Sequence, residues 1–149
     1  GAVFAGTDRQ LDSYFRVPSG RLKIRESSLG PNSLILYKRE DKESPKESCY
    51  VLVDVGSTAA SLRELLAQAL GMTVQVKKKR RIFMYGQTRI HLDEVESLGS
   101  FVEFEYVLQD NESPNTACSE VERLLRVFGI DEAALVSGSY SDLVPGSGL

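Results

Sequence analysis

The sequence predicts an α+β fold dominated by a curled antiparallel sheet with helices covering it. Two observations lead there. Residues 21–25 carry charged side chains at a period of two, the spacing that sends neighbouring side chains to opposite faces of a strand, and 73–85 read as a long strand. Helical periodicity interrupts the strands once, at 57–71, and returns only after about residue 115, so strands are not matched one to one with helices. At 149 residues the chain is read as a single domain, 1–149, large enough to bury one core without metal or disulfide support.

The elements follow in order. Residues 10–16, QLDSYFR, read as a short strand entering a turn punctuated by Pro18 and Gly20. In GRLKIRE, Arg21, Lys23 and Arg25 alternate with Leu22 and Ile24, which gives one wholly cationic face. SLGPNS turns the chain, and LILYKR returns as a strand ending in Lys38 and Arg39. Residues 40–47, EDKESPKE, are polar with a proline and are expected to form an exposed loop, followed by the strand CYVLVDV at 49–55. Ser57 or Thr58 can cap a helix whose Leu62, Leu65, Leu66, Ala69 and Leu70 share one face, with Gly71 closing it. That stripe is expected to pack on the apolar side of the sheet. Residues 73–85 form a long strand, and Gly86 with Gln87 turns it into a hairpin.

The segment TRIHLDEVESLGSFVEFE, residues 88–105, then reads as two strands joined by a turn. Alternation puts Arg89, His91 and Asp93 on one face with Glu103 and Glu105, and Ile90, Leu92, Val102, Phe104 and Tyr106 on the other. Strands thus occupy 8–110 and helical segments 115–143. A helix over 116–128 buries Val121, Leu124, Leu125 and Phe128, DEAALV adds a helical turn, and 144–149 is a tail whose PGSGL end is expected to be disordered.

A formal net charge of −3 supplies no global basic field, so nucleic acid is a disfavoured partner and any anion must be held by local clustering. Cys49 and Cys118 lack zinc or redox spacing and are expected to be buried or half-buried thiols, in keeping with a reducing cytoplasmic setting. No apolar run approaches a membrane span, and GAVFAG lacks the flank and length of a signal peptide. The sequence opens at Gly1 rather than Met, which leaves open that natural N-terminal residues are absent from it.

Charge parity is the informative feature. In the run 77–81, Lys78 and Arg80 share one face of a strand, while Lys77, Lys79 and Arg81 share the other. The expected interior set is Arg21, Lys23, Arg25, Lys38 or Arg39, Lys78, Arg80 and Arg89, facing Asp93, Glu103 and Glu105. Cations two apart on a strand lie roughly 7 Å from each other, and each such pair costs on the order of 2 kcal/mol at an effective dielectric near 20. A cavity of that kind suits a compact polyanion, and carboxylates in one corner suit a divalent metal bridging protein and phosphate oxygens.

The strings GRLKIR, VQVKKKRRIFMYG and RIHLDEVESLGSFVEFE resemble those of the CYTH domain family, the triphosphate tunnel fold that includes class IV adenylate cyclases, thiamine triphosphatases and inorganic triphosphatases. The resemblance implies an antiparallel barrel or tunnel. It also implies that Lys23, Arg25, Lys38, Lys78, Arg80 and Arg89 grip a triphosphate, with Phe83 where tyrosine is usual, and that Asp93, Glu103 and Glu105 hold Mg²⁺ or Mn²⁺. His91 is read as a structural position on the HLD strand. The family's opening strand with ExExK has no counterpart in this sequence. Either the sequence is a piece of a longer protein, or half of the acidic cluster and one tunnel wall are missing. The expected partner is a triphosphate-containing small molecule, and the expected state a monomer or homodimer. Three functions follow: a metal-dependent phosphohydrolase acting on inorganic or small organic triphosphates, a class IV adenylate cyclase, or a non-catalytic triphosphate-binding module.

Overall fold

The computed structural model describes residues 1–39 and 48–145; the loop expected at 40–47 and the end of the tail lie outside the described residues. Seven strands form one antiparallel sheet in the order β4-β3-β2-β1-β5-β6-β7. They are β1 (Val3–Phe15), β2 (Arg21–Ser27), β3 (Ser33–Arg39), β4 (Ser48–Asp54), β5 (Met72–Tyr85), β6 (Thr88–Val95) and β7 (Gly99–Tyr106). The helices are α1 (Ala59–Leu70), α2 (Pro114–Val127) and α3 (Tyr140–Leu143). The sheet is not closed, with β4 and β7 as its edges among the described residues, and with its helices it fits the expected α+β fold.

β1 is the central strand and starts earlier than its sequence suggests. It pairs with β5 from Val3↔Met84 to Phe15↔Met72, and with β2 through Asp12↔Arg25 and Tyr14↔Lys23. Thr7, Asp8, Arg9 and Gln10 are polar in succession, so no apolar period marks this part of it as a strand. A register shift between Phe4 and Gly6, where Gly6 has φ +151°, breaks the pattern further. The turn before β2 does depend on glycine. Gly20 has φ +74°, and a Cβ there would lie 2.7 Å from the Tyr37 carbonyl oxygen.

The two faces of the sheet are built differently. On one, Phe15, Ile24 and Ala59 form a core with Leu22, Leu34, Leu62 and Leu66, so α1 covers the apolar side as expected. Its stripe is narrower than predicted: Leu65 and Leu70 are exposed, because α1 meets the sheet through Ala59, Leu62, Leu66 and Ala67. α2 covers the same face over β7, with Leu124 buried and the Phe104 and Phe128 rings 5.2 Å apart. On the other face Tyr14, Val76 and Val95 pack with Val74, Leu98, Phe101, Tyr140 and Val144. Tyr140 comes from the end of the expected helical region and Val144 from the start of the expected tail. Four residues are too few for a period, and α3 is set instead by a Ser139 capping box with Asp142.

Edge strand β4 leaves Tyr50, Val51, Leu52 and Val53 at least half exposed. Cys49, expected to be sheltered, is exposed on that edge. No described helix is long and apolar enough to cross a membrane. Ile24, fully buried beneath α1, is the most sensitive core position. Ile24→Ala is expected to lower the unfolding free energy by about 2–5 kcal/mol in urea titration, and a loss below about 1 kcal/mol would contradict this packing.

Candidate anion site

Strand pairing brings charged residues from five strands onto the face opposite α1. The registers Asp12↔Arg25, Tyr14↔Lys23, Asp8↔Arg80, Gln10↔Lys78, Arg80↔Asp93, His91↔Glu103 and Arg89↔Glu105 place all of these side chains together. The predicted parity of β5 holds. Lys78 and Arg80 are buried on this face, while Lys77 and Lys79 lie opposite, 3.9 Å from Glu96 and 3.7 Å from Glu94.

At the centre is Asp12, fully buried. Its carboxylate accepts from Lys23 Nζ at 2.9 Å and from Arg25 Nε and Nη2 at 2.8 and 2.7 Å, and lies 3.5 Å from Lys78 Nζ. Three cations share one carboxylate. Lys23 also donates to the Tyr14 hydroxyl at 3.4 Å and sits between the Tyr14 and Tyr37 rings, 5.3 and 5.4 Å from their centroids. Burial pulls both lysines down, opposed by Asp12 and reinforced by the neighbouring cations, to about 7 for Lys23 and about 8 for Lys78. Burial acts against the ionised form of Asp12, but Lys23, Arg25 and Lys78 outweigh it and hold the carboxyl well below its usual range.

A second centre adjoins the first. Arg80 makes a paired contact with Asp93 at 2.8 and 2.7 Å and reaches Glu103 at 2.9 Å, while the Tyr140 hydroxyl donates to Asp93 at 2.8 Å. Although desolvation raises Glu103, His91 and Arg80 hold it well below the carboxylate range. His91 is buried between the two glutamates, Nδ1 3.8 Å from Glu103 and Nε2 3.8 Å from Glu105, and Nδ1 makes no hydrogen bond.

Of the residues singled out from the sequence, Lys23, Arg25, Lys78, Arg80, Asp93 and Glu103 converge. Arg89 and Glu105, 3.4 Å apart, lie at the more exposed margin, and Arg21 pairs with Asp142 at 2.6 Å. Lys38 does not join them. It pairs with Cys49 one residue out of phase with Tyr37, so it sits exposed on the opposite face. Asp12 and Asp8 were missed, and they reduce the expected excess of cations. Asp8 accepts from Gln10, Ser27 and the Ser28 and Leu29 amides, which fixes the β2–β3 turn. Their sequence signal is the period of two in Asp8, Gln10, Asp12 and Tyr14.

The expected three-carboxylate metal set fits only in part. Both oxygens of Asp93 are committed to Arg80 and Tyr140, and the described residues contain no group of three or more potential protein ligands placed to hold a metal. Glu103 and Glu105 keep partly exposed side chains, a donor pair that suits a hard cation whose other ligands are phosphate oxygens and water.

Fold and site together define an antiparallel-sheet protein with a buried cation cluster on one face. The chain belongs to the CYTH domain family, whose model matches residues 1–140. It is similar to adenylate cyclase CyaB of Aeromonas hydrophila, 23% identical over 146 residues covering 95% of this chain and 75% of that protein. Among solved structures it is similar to the PH1012 protein of Pyrococcus horikoshii OT3, with TM-score 0.80, 24% identity and coverage of 97% of this chain and 87% of the other. A conserved protein of Pyrococcus furiosus gives TM-score 0.83, 23% identity and the same coverage of 97% and 87%. These structural likenesses show the fold.

Two outcomes are expected from the charge geometry. Asp12→Asn leaves three cations around a neutral amide and is expected to cost about 3–5 kcal/mol in urea unfolding, against less than about 1 kcal/mol if Asp12 were incidental. The second concerns pH. Because Lys23 at about 7 and Lys78 at about 8 lie below their unfolded value, the unfolded chain binds more protons between about pH 7 and 10, so stability rises with pH through that window. Asp12 and Glu103, held low, contribute stability that is present above about pH 4 and lost as pH falls through their lowered values. The ligand-free thermal midpoint is expected to be higher near pH 9 than near pH 7, with a flatter slope in Lys78→Met; a midpoint falling over that interval would contradict the assignment.

Proposed function

We propose that the chain binds the triphosphate group of a small molecule on this face and cleaves its phosphoanhydride as a divalent-metal-dependent phosphohydrolase. The supporting observation is the sharing of one buried carboxylate, Asp12, by Lys23, Arg25 and Lys78. With every group ionised this centre keeps an excess of positive charge, and a polyanion relieves the repulsion that burial magnifies. Lys23, Arg25, Lys78 and Arg80 receive phosphoryl oxygens. Asp93 and Tyr140 hold the Arg80 guanidinium through its Nε and Nη2 edge, which leaves Nη1 to donate to a phosphate oxygen.

Glu103 and Glu105 would hold Mg²⁺ or Mn²⁺ together with substrate oxygens, and the ion supplies charge neutralisation on the phosphates and a more acidic water. Hydrolysis forms a bond from water oxygen to phosphorus and breaks the anhydride P–O bond, whose electron pair leaves on the bridging oxygen. The proton of the water passes to the phosphate products. A second reading, cyclisation of ATP by its own ribose hydroxyl, is favoured by the likeness to a relative named adenylate cyclase.

Tripolyphosphate and ATP, each with Mn²⁺, separate these readings by chromatography of the products. Orthophosphate release is the expected result, cyclic AMP would transfer the reading to a cyclase, and binding heat without turnover would leave a binding module. Arg80→Ala is expected to weaken tripolyphosphate binding by roughly 1–3 kcal/mol. Glu103→Gln is expected to remove metal stimulation with the fold intact. Lys79→Ala, on the opposite face beside Glu94, is expected to leave affinity unchanged, and a large loss there would reverse the site assignment.

A further inference from the structure

The sheet face that carries α1 and α2 is bare between them. α1 covers it around Phe15 and Ile24, and α2 around Phe104. Between these contacts a groove of about 710 Å³ crosses β2, β1, β5, β6 and β7, lined among others by Arg9, Leu11, Lys77, Lys79 and Glu94. The pairs Leu11↔Lys77, Arg9↔Lys79, Thr7↔Arg81 and Lys79↔Glu94 put these side chains on the face opposite Asp12, Lys78 and Arg80. Lys77, Lys79 and Arg81 therefore take no part in the anion site.

The charge of this strip is out of balance. Arg9 stands directly across from Lys79, and Arg81 follows Lys79 two residues along β5, about 7 Å away. Like charges opposed across two strands are destabilising. Relief within the chain is slight: Glu94 lies 3.7 Å from Lys79 and Glu96 3.9 Å from Lys77, beyond hydrogen-bond reach and on side chains 44% to 64% exposed. Glu26, at the β2 end, is given to Arg63 of α1. Among the described residues Arg9 and Arg81 have no carboxylate partner. On a chain of formal net charge −3, the strip is a local cationic surface. Its floor is apolar, with Leu11 in the groove and Leu92 paired with Val102 beside Arg81, Val102 being 38% exposed.

We infer that this strip is the docking site of an acidic amphipathic helix belonging to a partner protein. The inference does not depend on the anion-binding reading above. Three features choose the occupant. The space lies in the layer of α1 and α2, so whatever fills it has the thickness of a helix. The face offers no strand edge, so an extended peptide laid there would leave its own amide and carbonyl groups without partners, whereas a helix satisfies them internally. Leu11, Leu92 and Val102 among Arg9, Lys77, Lys79 and Arg81 complement an apolar stripe flanked by carboxylates. A phosphodiester chain or an anionic lipid surface fits less well, because Glu94 and Glu96 at one end of the groove meet it with like charge.

The probe is a fluorescein-labelled helical peptide of about three heptads, with Leu at a and d and Glu at e and g so that it repels its own copies. Binding to the whole chain is read by fluorescence anisotropy, beside a scrambled peptide of the same composition and one with Lys in place of Glu. Saturable binding of the first peptide alone is expected. It weakens at least tenfold in Arg9→Glu/Arg81→Glu, checked for native circular dichroism, and several-fold between about 50 and about 500 mM NaCl. Because charge reversal can disturb a strand, the site is also located in the wild type. Carbodiimide coupling of peptide carboxylates is expected at Lys77 and Lys79, mapped by peptide mass spectrometry. No binding of the first peptide overturns the inference, as does equal binding of the scrambled or Lys peptide. Unchanged affinity in the folded variant, or cross-links confined to other lysines, overturns it as well. Tighter capture of an oligonucleotide or of phosphatidylserine vesicles, lost in the same variant, overturns it in favour of that surface. A dimer in sedimentation velocity that the variant dissolves overturns it in favour of a second copy.

Discussion

Asp12 is the constraint around which the site is built. A carboxylate with no exposure to water survives in a sheet only if its charge is matched, and here Lys23, Arg25 and Lys78 converge on it from the strands on either side. The dependence runs both ways, since among the described residues none of those cations has another carboxylate as near. The antiparallel registers β1–β2 and β1–β5 are therefore fixed by charge on one face as firmly as by Phe15 and Ile24 on the other. A slip of one residue would turn Asp12 into the α1 core and lose both arrangements together.

Removal of Asp12 would expose cations to one another. A phosphate chain at the proposed anion site would have the opposite effect, adding anionic partners for Lys23, Arg25 and Lys78 beside Asp12. Arg80 is the contrasting case. Its fork is already occupied by Asp93, and Asp93 is held in turn by Tyr140, so this arginine keeps its orientation whether or not the neighbouring lysines are engaged. The site thus combines a rigid arginine with two lysines whose charge responds to what surrounds them.

Much of this was legible in the chain itself. The alternation of Arg21, Lys23 and Arg25 and the parity of Lys78 and Arg80 gave the correct face for those residues, and the hairpin 88–105 gave Asp93, His91, Glu103 and Glu105 a common side. What escaped was polar burial. Asp8 lies ahead of the strand read at 10–16, and Gln10 and Asp12 within it were not picked out, because sequence periodicity finds a buried face through apolar residues and a polar face has none to offer there. Lys38 failed for a different reason: its strand ends in two adjacent cations, and only the register with Tyr37 and Cys49 tells which face each takes. α3 falls within the helical region read at 115–143, but its own bounds were not marked, because four residues held by a capping box and two long-range contacts carry no local period.

The outer strand β4 has a bearing on how the protein behaves in company. Its hydrogen-bonding groups on one side meet no partner among the described residues, and its run from Cys49 to Val53 offers neither a charge, a proline nor a bulge to discourage another strand from joining. The opposite edge, β7, carries Glu103 and Glu105 and has α2 packed against it. Sheet growth by addition of a foreign strand, and with it precipitation at high concentration, is thereby directed to the side of the molecule remote from Glu103 and Glu105, where apolar side chains face water on both surfaces of a single strand.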